Sequence, residues 1–76
     1  MIIGGLPPLF RRNLKYLRRK NALTFTQLGF ATGMDKNLLR DLEQGFDEID
    51  ARDLQMLCAV LGVTVEDIFH QDLQAE

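Results

Sequence analysis

Apolar residues along this chain recur at helical rather than strand spacing. Phe10, Leu14 and Leu17 fall at i, i+4 and i+7, with Arg11, Arg12, Lys15 and Arg19 on the other faces, which predicts an amphipathic, basic first helix. Pro7-Pro8 sets its start at Pro8 or Leu9, because proline disfavours helix before itself and pre-sets the first turn after. A short second helix is predicted from Phe25 to Thr32, opened by Thr24 with Gln27 three residues on, the signature of a capping box. Gly33 supplies a left-handed stop, and Asp35 then caps a third helix carrying Leu38, Leu39 and Leu42 and ended by Gly45. Gly29 inside the second helix costs roughly 1 kcal/mol of helix propensity against alanine, so its presence predicts the close approach of another helix. Asp50, with Asp53 three residues later, opens a fourth helix through Leu54, Leu57, Cys58 and Leu61, stopped by Gly62. Thr64-Val65-Glu66-Asp67 opens a fifth with Ile68 and Phe69, fading from Gln71 onward. No repeat occurs, and nothing runs at strand period outside the first few residues.

At 76 residues the chain reads as a single all-helical domain near the lower limit for an unassisted core. The expected organisation is an apolar arm over residues 1–7, a helical domain over 8–72 and a tail over 73–76. The arm is too short for a membrane span or a signal-peptide core. It reads either as a loosely packed tail or as a segment that docks on a partner subunit. A single cysteine cannot close an internal disulfide, and no Cys/His cluster suits zinc, so a reduced, cytoplasmic setting without a metal or cofactor is expected.

The net charge of −2 conceals a steep gradient. Residues 1–34 hold six basic side chains and no acid, whereas residues 35–76 hold three basic side chains against eleven acids. Such asymmetry permits nucleic-acid binding through one face and also suits association between unlike faces.

An enzyme is not indicated. His70 lies far in sequence from Cys58, and Cys58 sits at a core-facing position, where thiols are inert. The carboxylates fall mainly at caps, helix ends and loops, where helix dipoles account for them, and Met34 and Met56 read as packing residues. No catalytic or metal-binding constellation is expected.

The two short helices around the Gly33 turn have the form of a helix-turn-helix, a unit with which many small proteins read DNA. Over about residues 13–69 the spacing resembles the Cro and phage-repressor (XRE-like) helix-turn-helix family. The matching elements are the Leu14-to-Arg18 end of the first helix, Leu28-Gly29, the Gly33-Met34-Asp35 turn, Leu42-Glu43-Gln44-Gly45, and the run from Leu57 to Thr64. None is specific alone, but five in register form a strong signal. The resemblance implies a compact five-helix, lambda-repressor-like domain that binds double-stranded DNA as a homodimer and regulates transcription. It implies a structural ion pair of Arg18 with Glu43. It places base reading in the third helix, with Lys36, Asn37, Arg40 and Asp41 as candidates, since lysine suits guanine and asparagine suits adenine. Phosphate-contact candidates are Thr24, Thr26, Gln27 and Gln44, with Arg11, Arg12 and Arg19 on the basic first helix.

Several positions depart from the family pattern. Phe25 stands where a polar residue usually follows the cap, Leu38 where serine or threonine is common, and Asp41 where the groove is expected. The loop after the third helix reads Phe46-Asp47-Glu48 instead of carrying basic residues. Two readings follow. In one, the domain binds DNA and gains affinity by dimerising; in the other, Phe25, Leu38 and Phe46 form an apolar protein-binding patch on a repurposed fold. The arm (Ile2, Ile3, Leu6) and the last helix (Ile68, Phe69, Leu73) are the expected dimer surfaces.

Overall fold

The connection between the third and fourth helices closes the chain on itself, because Asp47, Ile49 and Asp50 bond to the N-terminal arm. In the computed structural model, which describes residues 1–74, the order is β1 (Ile2–Ile3), α1 (Pro8–Lys20), α2 (Phe25–Thr32), α3 (Lys36–Gln44), β2 (Ile49–Asp50), α4 (Ala51–Leu61) and α5 (Val65–His70). Ala75 and Glu76, the end of the expected tail, lie outside the described residues. The helix limits follow from local chemistry. Thr24 Oγ1 accepts the Gln27 amide while Gln27 Oε1 accepts the Thr24 amide, closing the capping box at 3.0 and 2.9 Å. Asp35, Asp50 and Thr64 accept amides of Asn37, Arg52 and Asp67 at the starts of α3, α4 and α5.

Helix α1 packs against α5 and α3, and α2 against α3 and α4. Phe10, Leu14, Leu28, Leu39, Leu42, Leu54, Leu57 and Ile68 are buried at the centre. Gly33 takes φ +76° to turn α2 into α3, and the Gly33 and Met34 amides both donate to the Gly29 carbonyl. The turn then folds back so tightly on α2 that a Cβ at Gly29 would sit 2.7 Å from the Met34 carbonyl oxygen. The close approach expected of another helix is thus made by the turn itself, while the Lys36 nitrogen and Leu39 Cδ1 of α3 stand at ordinary contact distances of 3.5 and 3.7 Å.

The arm is tied down within the fold and is not a loose tail. Ile2 pairs with Asp50 and Ile3 with Ile49 in a short antiparallel ladder, extended by the Leu6 amide donating to the Asp47 carbonyl. Ile3 and Leu6 pack against the core, as do Phe69 and Leu73, while Ile68 lies inside it. Most of the apolar surface expected to form a dimer contact is therefore spent within the fold. A core this small has few other side chains with which to cover itself.

One buried polar side chain organises the far end. Asn13 is on the α1 stripe with Phe10 and Leu17 and is fully buried. Its Nδ2 donates to the carbonyls of Ile68 (2.9 Å) and Gln71 (2.7 Å), and its Oδ1 accepts the Leu73 amide (3.0 Å). The chain beyond α5 is thus held down as far as Leu73. The Asn13→Leu variant keeps the volume but strands these backbone groups, and is expected to lose about 2–4 kcal/mol in urea denaturation, with faster exchange of the Leu73 amide.

The ladder carries a pH dependence. The Arg52 amide is the main cause holding the exposed Asp50 carboxyl below its usual value. A lowered folded-state pKa stabilises above the ordinary carboxylate value and is lost as pH falls through the folded one. Protection of the Ala51 amide against exchange should accordingly fall in acid, and Asp50→Asn should flatten that limb.

Candidate nucleic-acid interface

Helix α3 presents three different edges. At about 100° per residue, Leu39 and Leu42 point to the core, and Asn37 and Gln44 point opposite, to solvent. Lys36 and Arg40 lie to one side of that outward line; Asp41 and Leu38 lie to the other. The observed burial follows this division, with Leu39 and Leu42 buried, Leu38 half-buried, and Lys36, Asn37, Arg40, Asp41 and Gln44 exposed.

On the basic side, Thr24, Phe25, Thr26, Lys36, Asn37 and Arg40 line a shared cleft of about 300 Å³. Here the start of α2 meets the start of α3. The capping box uses the acceptor atoms of Thr24 and Gln27, leaving the Thr24 hydroxyl proton and the Gln27 side-chain NH₂ as outward donors. The amides of Phe25 and Thr26, in the first turn, have no acceptor within the helix. Donors and positive charge converge at one place, as an anion requires.

Behind this cleft lies a buried clamp. Arg18 donates from Nε to Glu43 Oε2 at 2.6 Å and from Nη2 to Oε1 at 3.1 Å, a bidentate pair. Its Nη1 donates to the Leu23 carbonyl at 3.0 Å, and its guanidinium carbon lies 4.2 Å from the centre of the Phe25 ring. The side chains are 13% and 6% exposed, so the pair is largely out of water. Phe25 thereby gains a structural explanation: it covers the guanidinium and packs on the core, rather than standing open on the surface.

The structure separates the three residues expected to form one apolar patch. Phe25 sits on the basic side of α3, whereas Leu38 and Phe46 sit on the other, lining a groove of about 270 Å³ with Ile2, Glu48, Ile49, Asp50 and Asp53. The phosphate-contact candidates also divide. Gln44 and Arg19 line a neighbouring cleft with Lys15, Arg18, Phe25, Arg40 and Glu43. Arg12 is engaged with Asp72 at 3.2 Å, and Arg11 lies over Gly45, its Nη1 2.8 Å from where a Cβ would be. Neither Arg11 nor Arg12 lines the cleft between α2 and α3.

Sequence reasoning missed Lys15, which borders that neighbouring cleft, although its i+4 spacing to Arg19 was a usable signal. It also missed Phe30, 92% exposed on α2, which has no periodic signature because it falls outside the Leu28-Thr32 stripe. Burial pushes the Cys58 thiol above its usual pKa, consistent with a packing role. Among the described residues no group of three or more His, Cys, Asp or Glu side chains is arranged to hold a metal ion, and no helix is long and apolar enough to cross a membrane.

A profile of the helix-turn-helix domain family matches residues 9–70. The chain belongs to that family, and its fold is of the Cro and phage-repressor type. Among solved structures it is similar to the restriction-modification controller protein C.AhdI from Aeromonas hydrophila, with a TM-score of 0.73 and 23% identity over 80% of this chain and 92% of that one. It is also similar to a chain of the SinR protein/SinI protein complex, with a TM-score of 0.76 and 20% identity over 86% of this chain and 64% of that one. No curated protein matches the sequence.

The clamp can be tested by a double-mutant cycle. Arg18→Ala or Glu43→Ala should each cost about 3–5 kcal/mol, because each strands a largely buried charge, and the double variant should lose less than the sum. Arg18→Lys, which cannot form the fork, should recover only part of the loss.

Proposed function

We propose that this protein is a sequence-specific DNA-binding transcriptional regulator acting in the cytoplasm. Helix α3 enters the major groove, Lys36 and Asn37 reach base edges, and the start of α2 holds a backbone phosphate through Thr24, Thr26 and Gln27. The observation that carries this reading is the convergence of Thr24, Thr26, Lys36, Asn37 and Arg40 on one cleft where the two helix starts meet. Arg40 and Gln44 extend the contact along α3. Asp41, on the acidic side, either accepts from a cytosine amine or repels the neighbouring phosphate. The helix-turn-helix family and the likeness to a controller protein support the same reading.

Dimerisation is part of the proposal: a two-fold pair of domains would address half-sites about 34 Å apart. With Ile68 buried and Phe69 and Leu73 packed on the core, Phe30 and Met56 are exposed apolar side chains outside the Ile2 and Phe46 groove that could serve such a contact.

A second reading, a protein-interaction module, is favoured by the groove of Ile2, Leu38 and Phe46, whose rim carries Glu48, Asp50 and Asp53. An apolar floor with an acidic rim suits a peptide that combines apolar and basic residues. The likeness to a chain solved in the SinR/SinI complex is compatible with a protein partner.

A ¹⁵N–¹H NMR titration with a mixed-sequence duplex distinguishes the two. Salt-sensitive shifts at residues 24–27 and 36–44 are expected, with non-specific affinity of about 10⁻⁴ to 10⁻⁶ M. Silence there at millimolar DNA would overturn the DNA reading in favour of a partner on Leu38 and Phe46. Once an operator is selected, Lys36→Ala and Asn37→Ala should each weaken specific binding by about 1–3 kcal/mol with the fold intact.

A further inference from the structure

Three neighbouring clefts on this domain share walls. The first, at the joined starts of α2 and α3, shares Phe25 and Arg40 with the second, between α1 and α3. The second shares Lys15 and Arg19 with the third, of about 510 Å³, on the outer face of α1, lined by Arg12, Lys15, Tyr16, Arg19, Lys20 and Gln74. Lys36, Arg40, Lys15, Arg19 and Lys20 therefore border a track of adjoining clefts. Glu43 is the one acid that lines it, and both of its oxygens are taken by Arg18.

The cations on the α1 part of the track are available. Among the described residues, Lys15, Arg19 and Lys20 are exposed and lie within ion-pair distance of no acid, unlike Arg12 with Asp72. The Lys20 amino group lies 5.8 Å from the centre of the Tyr16 ring, which forms part of the cleft wall. Across α3 the charge reverses, with Asp41 on the helix, Asp47 in the following loop, and Glu48, Asp50 and Asp53 around the groove of Leu38 and Phe46. A polyanion leaving α3 meets attraction on one side and repulsion on the other, and within about 8–10 Å at ordinary salt neither is fully screened.

Resting on the DNA reading above, we infer that the outer face of α1, through Lys15, Arg19 and Lys20, is a second phosphodiester-binding surface that carries duplex DNA flanking the bases under α3. The contact is blind to sequence. Its consequence is directional: the acidic side lets the duplex continue along α1 only, so each domain has an asymmetric footprint extending beyond its recognition helix. This one-sided cation track offsets the acids that stand where the family usually has basic residues.

The test is fluorescence anisotropy of the full chain with a labelled mixed-sequence duplex, over roughly 50 to 200 mM salt. The parent is compared with a Lys15→Gln/Arg19→Gln/Lys20→Gln variant and with Lys36→Ala, after circular dichroism establishes equal folding. The inference expects the triple variant to bind at least about tenfold more weakly and to lose about 2–3 from the slope of log K against log salt, whereas Lys36→Ala loses about one. Parental affinity and slope in the triple variant, with the parent and Lys36→Ala behaving as expected, would overturn the α1 surface while leaving the α3 reading intact; those cations would then be free for an acidic protein. A parent that shows no salt-sensitive binding would overturn both.

Discussion

The geometry of this domain depends on keeping a charged guanidinium largely out of water. Arg18 comes from the last turn of α1, Glu43 from the last turn of α3, the Leu23 carbonyl from the turn between α1 and α2, and Phe25 from the start of α2. A single side chain therefore fixes three helices relative to one another. The Coulombic attraction alone does not explain the pair, because removing both charges from water offsets much of it. Its value is geometric: the planar fork accepts few orientations, so α3 cannot roll about its axis without breaking two bonds at once. That fixed roll is what turns Lys36 and Arg40 toward one cleft and Asp41 and Leu38 toward another.

A second polar anchor, Asn13, performs the corresponding task from the middle of α1, satisfying two carbonyls and one amide around the end of α5. Between the two anchors α1 is committed along its inner face, and its outer face is free to remain strongly basic. The N-terminal arm completes the arrangement by pairing with the strand before α4, covering the side of the domain where the acids collect. The protein thus spends most of its limited apolar surface on closing a small core, and its functional character lies in how charge is distributed over what remains.

Phe25 illustrates how a departure from a family pattern acquires meaning. As a letter beside a helix cap it suggested an exposed patch; in the fold it is the lid on the Arg18 guanidinium. Leu38 likewise turns partly inward, leaving Phe46 and Ile2 as the more exposed walls of its groove. The one strongly exposed aromatic residue is Phe30, which no motif singled out.

Helix limits were legible because they are local. A threonine with glutamine three residues on, a glycine able to adopt positive φ and an aspartate before an apolar run satisfy backbone groups within a few residues of themselves, and the helices begin and end there. The apolar period likewise identified the core of α3 and α4, and the family resemblance gave the fold. What only the tertiary structure decided were the long-range pairings: the arm with Ile49 and Asp50, Asn13 with the chain beyond α5, and the placing of three basic clefts side by side. Periodicity states which face of a helix is apolar but not which neighbour lies against its edges. That choice belongs to packing, where residues far apart in sequence must satisfy one another's volume, hydrogen bonds and charge at the same time.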